Sequence, residues 1–172
     1  VVLQMNRVQE LKTRQDGDYF LTSLLIKPLS GDFSSSEKTS VAFLVRQKKR
    51  FQFQKWDSEI GGDLCIAYSI KLHGLPYTVF FNGDAMGKSI QGAGGALVLG
   101  TVFKSIVTRT QQSPRESSRF PEQWLKECFI ELQNVFVSFD GSMLASAVIG
   151  LVDDENGFLY YINAEHPWPV LY

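Results

Sequence analysis

The sequence predicts an α+β domain, and three observations carry that assignment. Two β-branched and aromatic runs, Asp63–Ile70 and Pro76–Asn82, flank the turn residues Lys71-Leu72-His73-Gly74, the pattern of an antiparallel hairpin. A small-residue segment, Gln91–Val107, and an amphipathic one opening at Pro121 then take helical spacing. A further hairpin follows, with Leu144–Val152 and Phe158–Asn163 joined by Asp153-Asp154-Glu155-Asn156-Gly157. Hairpin strands with helices grouped between them define the α+β class. A chain of 172 residues is long enough for one domain with a substantial core.

Composition narrows the function classes. Hydrophobic residues make up 44% and charged residues 20%, ordinary for a globular domain. Thirteen Phe against three Met favour aromatic strand packing over an adaptive Met-lined groove. The net charge of −1 supplies no field to attract nucleic acid or anionic lipid. Cys65 and Cys128 lie far apart without CxxC spacing, which argues against a zinc knuckle and for a reducing compartment. The longest apolar run, Gly92–Phe103, is shorter than the roughly 20 residues of a membrane span, so no membrane contact is expected. No signal peptide is evident, and the chain opens at Val1 in what reads as mid-helix.

In chain order, Val1, Met5, Val8 and Leu11 form a narrow helical stripe, read as core-facing or as the end of a signalling coiled coil. Gln15-Asp16-Gly17-Asp18 breaks the stripe, and Tyr19–Ile26 suits strand or helix. Ser30–Ser40 reads as loop. Val41–Arg46 and Arg50–Gln54 are expected to form a hairpin, with the basic residues Arg46, Lys48, Lys49 and Arg50 at its solvated tip. In the next strand the two-residue period puts Asp63, Cys65 and Ala67 on one face, with Cys65 as a small buried hydrophobe. The glycines at 92, 94, 95 and 100 weaken a helix, and close packing against a sheet is the simplest reason for them. Arg109–Arg119 reads as polar loop. The helix from Pro121 places Trp124, Leu125, Cys128, Phe129, Leu132 and Phe136 on one side. The acidic turn at 153–155 lacks EF-hand spacing and reads as a solvated hairpin turn. A new strand is expected to begin at Val170.

The chemistry centres on two carboxylates. Asp84, in Asn82-Gly83-Asp84-Ala85-Met86-Gly87-Lys88-Ser89, sits where a strand turns into the small-residue helix. Asp63 follows Glu59-Ile60-Gly61-Gly62 at the head of the preceding strand. Carboxylates held rigidly beside glycine turns suit hard divalent cations such as Mg²⁺ or Mn²⁺. Aspartate as a plain turn former is the competing reading. Gly87-Lys88-Ser89 also resembles the end of a Walker A loop, but Asn82 stands where that motif needs glycine, and Asp84 would repel a phosphate.

The motif order resembles the SpoIIE/RsbU-type branch of the PPM (type-2C) metal-dependent serine/threonine phosphatases. It runs from Glu59-Ile60-Gly61-Gly62-Asp63 through Asn82-Gly83-Asp84-Ala85-Met86-Gly87-Lys88. It continues in Ser146-Ala147-Val148-Ile149-Gly150-Leu151-Val152-Asp153 and Asn163-Ala164-Glu165-His166-Pro167, similar to T-A-F-Y-G-V-L-D and N-A-G-H-P. The resemblance covers roughly Trp56 to the end, and Leu21–Leu29 loosely matches the branch's entry segment. Four departures stand out. Ile66 replaces an acidic residue, Ser89 and Glu165 replace glycines of G-K-G and N-A-G-H, and the family's later Asp-Gly motif would lie beyond Tyr172.

The resemblance implies an αββα sandwich of two antiparallel sheets flanked by helices. In it Asp84 bridges two Mn²⁺ or Mg²⁺ ions, Asp63 ligates one, and the Ala85 carbonyl reaches a metal. With its C-terminal ligands beyond Tyr172, this chain is expected to hold at most one ion. The implied reaction is hydrolysis of phosphoserine or phosphothreonine on an anti-anti-sigma (STAS) protein, by metal-activated water, in the bacterial cytoplasm. Residues 1–18 are expected to be a helix or linker from an upstream sensor, able to form a homodimer. Residues 19–172 are expected to be the phosphatase-like domain, incomplete at its C-terminus. His166 is read as a turn residue without a partner. A pseudophosphatase that only docks its partner is the alternative, and a P-loop nucleotide binder the third.

Overall fold

The computed structural model describes residues 2–172, and side chains from Gln4 onward. In order the elements are α1 (Val2–Ile26), a 3₁₀ turn (Lys27–Leu29), β1 (Gly31–Phe33), β2 (Lys49–Phe53), β3 (Trp56–Ile60), β4 (Asp63–Leu72) and β5 (Leu75–Ala85). Then come α2 (Ile90–Gln112), α3 (Pro114–Ser117), α4 (Pro121–Val137), β6 (Ala145–Asp153) and β7 (Leu159–Ala164). The fold is α+β, with two sheets flanked by helices: a five-stranded sheet ordered β1-β4-β5-β6-β7 and the separate β2–β3 hairpin. In the large sheet only the short edge pair β1–β4 is parallel; the remaining pairs are antiparallel.

The central hairpin forms where the sequence predicts, with longer strands: Lys71 and Leu72, read as turn, belong to β4, and β5 runs on through Asp84 to Ala85. His73 and Gly74 turn β4 into β5 at φ 49° and 85°, the left-handed pair a tight two-residue hairpin requires. Alternation then sorts the strands' two faces. Leu64, Ile66, Ile70, Val79, Phe81, Ile149 and Leu151 are buried in one core cluster with the α2 residues Leu99, Phe103 and Val107 and the α4 residues Trp124, Leu125 and Cys128. Burial pushes the Cys128 thiol strongly up, so it is chemically quiet. Trp124 Nε1 donates to Thr110 Oγ1 at 2.8 Å, locking α4 to α2.

The glycines of α2 answer to packing. A Cβ on Gly95 would lie 2.5 Å from the Ala85 Cβ, and one on Gly100 would lie 2.9 Å from the Leu29 Cβ. Gly94 faces open space and has no such reason. By length and composition alone α2 is apolar enough to cross a membrane, but Ala96, Leu99 and Phe103 on its buried side pack into this core, and Ala93 into a smaller cluster with Tyr19, Phe51 and Ile60.

Several expectations need correction. Gln15–Asp18 does not end the first helix, which runs unbroken to Ile26. Tertiary contact overrides the local break: Tyr19 is buried against Phe51, Phe20 stacks on Phe53, and Gly17 lets the Phe53 ring approach. The stripe is not core-facing, since Met5, Val8 and Leu11 are about two-thirds exposed; Val1 lies outside the described residues. The first hairpin is shifted along the chain. Lys49–Phe53 pairs with Trp56–Ile60, and Gln54 turns at φ 53°. The basic residues therefore do not share a hairpin tip; Arg50 lies 3.7 Å from Glu59, and Lys49 sits over the Tyr19 ring.

Val41–Arg46 instead runs without ladder pairing, in alternating half-buried and exposed residues. Ser35 N donates to Ser69 Oγ at 2.8 Å, Thr39 Oγ1 to Asp154 Oδ1 at 2.7 Å, and Gln47 Nε2 to the Asp63 carbonyl at 2.7 Å. Two of these bonds fasten the stretch to β4, and the third to the turn after β6. The 109–119 stretch is not a loop: α2 runs on to Gln112 and α3 covers Pro114–Ser117. The turn at 153–155 is not fully solvated: Asp153 and Asp154 are buried. Asp154 also accepts from Thr78, while Asp153 accepts from the Glu155 N–H and the Asn156 amide. Among the described residues no strand begins at Val170.

Candidate metal centre

Asp63 and Asp84 are directly opposed cross-strand partners on β4 and β5. Opposed residues share a face of the sheet, with Cβ atoms about 4.5–5.5 Å apart. The next strand continues the row, because Ser146 is the β6 partner of Asp84. Behind it runs a second row, Cys65, Asn82 and Val148, in which the Cys65 thiol donates to Asn82 Oδ1 at 3.3 Å.

The end of the row is pinned by backbone bonds. Ala85 N donates to the Gly62 carbonyl at 3.0 Å, and Met86 N to the Leu144 carbonyl at 2.7 Å. Gly62 must lack a side chain: a Cβ there would lie 2.1 Å from the Ala85 carbonyl oxygen and 2.9 Å from Asp84 Oδ1. The space that glycine keeps open is thus bordered by the oxygens of Asp84 and Ala85. Two carboxylates and a carbonyl are hard oxygen donors, the set that Mg²⁺ and Mn²⁺ prefer, so the residues present fit such an ion. Among the described residues no group of three or more His, Cys, Asp or Glu side chains gathers into a fuller cage. Asp63, Asp84 and the Ala85 carbonyl are the hard oxygens that the strand ends bring together.

Burial, and then the charge of Asp84, raise the Asp63 carboxyl above its ordinary range, while the charge of His166 acts the other way. A raised carboxyl binds its proton more tightly in the folded chain than in the unfolded one. Its contribution to stability is full below the unfolded pKa and is lost as pH rises through the folded value. At neutral pH Asp63 therefore costs stability unless a cation relieves it. Asp63→Asn is expected to raise the thermal midpoint in EDTA at neutral pH while weakening Mn²⁺ binding. A midpoint that falls would reject the repulsion between the two carboxylates. Lowering the pH should weaken Mn²⁺ binding from a higher pH than an ordinary carboxylate would.

His166 is the residue that sequence reasoning missed. Its Nδ1 lies 2.9 Å from Ser146 Oγ, and the Asn163 side chain bonds both the N–H and the carbonyl of His166 at 2.9 Å. The partner is distant in sequence, so spacing could not reveal it; the motif Asn163-Ala164-Glu165-His166-Pro167 was the local sign.

Both glycine replacements keep a glycine-like backbone. Ser89 stands at φ 53°, ψ −113° and Glu165 at φ 53°. Left-handed backbone at a residue with a Cβ costs about 1–2 kcal/mol. Ser89→Gly and Glu165→Gly should therefore each raise stability by about 1 kcal/mol in urea titration, after the extra freedom glycine gives the unfolded chain is offset. Loss of stability in either variant would show that the side chain, not the backbone, governs the position.

The Walker A reading does not survive the geometry. Strand β5 runs through Asn82 to Ala85, leaving only Met86–Ser89 before α2, so no long phosphate-cradling loop exists there.

A family model, Stage II sporulation protein E (SpoIIE), matches residues 76–172, more than half of the chain and the part that contains Asp84, Ala85, Ser146 and His166. No curated protein and no solved structure matches the chain. The family is associated with PPM-type phosphatases, which generally use Mn²⁺ or Mg²⁺. A paired carboxylate row at the sheet end, inside an α+β frame of this motif order, agrees with that match, and the chain belongs to the SpoIIE family.

Proposed function

We propose that the chain is a metal-dependent serine/threonine protein phosphatase domain acting on a phosphorylated anti-anti-sigma (STAS-type) regulator in a bacterial signalling pathway. The observation that carries this reading is the opposition of Asp63 and Asp84 beside the Ala85 carbonyl, in a chain of the SpoIIE family. Asp84 and Asp63 would hold Mn²⁺ or Mg²⁺, with the Ala85 carbonyl as a third donor. When bound, the ions supply Lewis acidity toward the phosphoryl oxygens and lower the proton affinity of an attacking water. The chain's own groups orient the reaction: the strand ends hold both carboxylates rigidly, and burial on one flank restricts water around Asp63. In the reaction the water oxygen forms a bond to phosphorus, the bond to the serine oxygen breaks, and the serine oxygen takes up a proton.

The same proposal places the domain in the cytoplasm, as the output domain of a larger sensor. Homodimerisation through α1 belongs to it as well, where Met5, Val8 and Leu11 stand 65%, 66% and 66% exposed along one side.

A second reading, a pseudophosphatase that docks its partner without turnover, is favoured by the incompleteness of the ligand set among the described residues. The deciding experiment incubates the protein with a serine-phosphorylated STAS protein and Mn²⁺, measuring phosphate release and complex formation together. Release that EDTA abolishes supports the phosphatase. Complex formation with no release supports the second reading, and neither binding nor release rejects the STAS partner.

A further inference from the structure

The row Asp63, Asp84, Ser146 crosses three strands, and His166 is fastened to its β6 end. The loop carrying the imidazole has little freedom. Asn163 clamps the backbone of His166 on both its N–H and its carbonyl, and Pro167 follows directly. The ring is half-buried, and its charge reaches Asp63. With Nδ1 engaged by Ser146, Nε2 is the ring nitrogen left for a ligand, and it has no protein partner among the described residues. In the neutral ring with its proton on Nε2, the Ser146 hydroxyl donates to Nδ1. In the imidazolium, Nδ1–H donates to Ser146. Both of these forms leave Nε2–H as a donor; the neutral ring protonated on Nδ1 leaves Nε2 an acceptor and is the form that a phosphoryl oxygen disfavours.

We propose that His166 binds the phosphoryl group, its Nε2–H donating to a phosphoryl oxygen of a ligand seated at the Asp63–Asp84 end of the sheet, with Ser146 and Asn163 as positioning residues. The inference rests on the phosphatase reading and deepens it. A phosphoryl group brought toward two carboxylates meets like charge, so cations between them answer only part of the repulsion. A donor held at the opposite end of the same row supplies attraction from the other flank. Ser146 selects which nitrogen faces the ligand, and the Asn163 clamp sets where the ring stands.

The chain contains two histidines, and the other, His73, lies in the β4–β5 turn at the far end of the hairpin, where it serves as an internal control. Inorganic phosphate is titrated into ¹⁵N-histidine-labelled protein with Mg²⁺ present, and both imidazoles are followed by NMR. The expected result is a saturable shift of His166 with His73 unmoved. His166→Ala should lower phosphate affinity roughly tenfold or more, the loss of a hydrogen bond to a charged group. His166→Gln, which keeps a donor, should retain part of that affinity, and Ser146→Ala should fall between. Mg²⁺ heats in calorimetry should persist in all three.

Parallel shifts of His73 and His166, or an unaltered phosphate affinity in His166→Ala, would overturn the proposal. If His166→Ala fails to fold, Ser146→Ala decides in its place, by the same loss or retention of phosphate affinity. The two readings fail separately. Phosphate that shifts His166 alone while Mg²⁺ gives no heat removes the metal site and keeps the phosphoryl contact. Mg²⁺ that binds while phosphate leaves His166 unmoved keeps the metal site and removes the contact.

Discussion

Asp84→Asn is expected to abolish Mn²⁺ binding in calorimetry, with the heat of the parent reduced to that of dilution. The substitution is nearly isosteric, and Asp84 is exposed at the strand end, so the fold should be unaffected. What disappears is one of only two carboxylates on the row, and a neutral amide oxygen is a far poorer donor to a hard dication than a carboxylate. The Ala85 carbonyl, kept accessible by Gly62, remains, but one carboxylate and one carbonyl do not compete with the ion's hydration shell. Asp63→Asn should weaken binding less, because Asp63 is the flanking ligand and its carboxyl is already biased toward the protonated form by burial and by Asp84. Parent-like Mn²⁺ binding in Asp84→Asn would remove the metal assignment altogether. In a catalytically complete protein the same change should eliminate most turnover, since activation of water and stabilisation of the phosphoryl oxygens both depend on the ion.

Trp124→Ala is expected to cost about 3–5 kcal/mol of stability, read as a fall in the urea midpoint. Trp124 is only 1% exposed and sits in the main core with Phe103 and Leu125. Its removal opens a large cavity in the helix layer and breaks the indole bond to Thr110. Thr110 keeps its own donation to the Ile106 carbonyl at 2.9 Å, so the loss is chiefly one of packing. Against a typical total of about 5–15 kcal/mol, such a loss leaves a marginal domain. Cation affinity per folded molecule should stay at the parent value, because the donors stand on strand ends that α4 does not supply. A loss below about 1 kcal/mol would mean that α4 is not docked on the sheet as described.

The parts of the fold legible in the chain were those whose signal is local. The β4–β5 hairpin was readable because its alternation and its His73-Gly74 turn lie within one short window. The helix at Pro121 was readable because the proline, the apolar side and the length agree. The site was legible to the extent that two Gly-Asp pairs, one at the head of a strand and one at the end of the next, announce paired carboxylates. Where local and tertiary preferences conflict, the reading failed. The Gln15–Asp18 stretch stays helical because Tyr19 and Phe20 dock on Phe51 and Phe53, contacts that no window of the first helix contains. Val41–Arg46 had a strand's alternation, but its flanks are held from elsewhere in the chain, Ser35 by Ser69, Thr39 by Asp154 and Gln47 by Asp63.

By itself, then, the sequence determined the α+β class, the central hairpin, the amphipathic helix, the two metal-suited aspartates and the motif order of the SpoIIE family. Each of these rests on periodicity, turn chemistry or residue type, properties that a short stretch of chain carries whatever surrounds it. Only the tertiary structure decided that Asp63 stands directly opposite Asp84, that Gly62 clears space beside Ala85, and that Ser146 receives His166. These depend on strand register and on close approach between segments distant in the chain. Register is set by the whole buried face at once, since a slip of one residue would turn every core side chain toward solvent and carry both aspartates to the other side of the sheet.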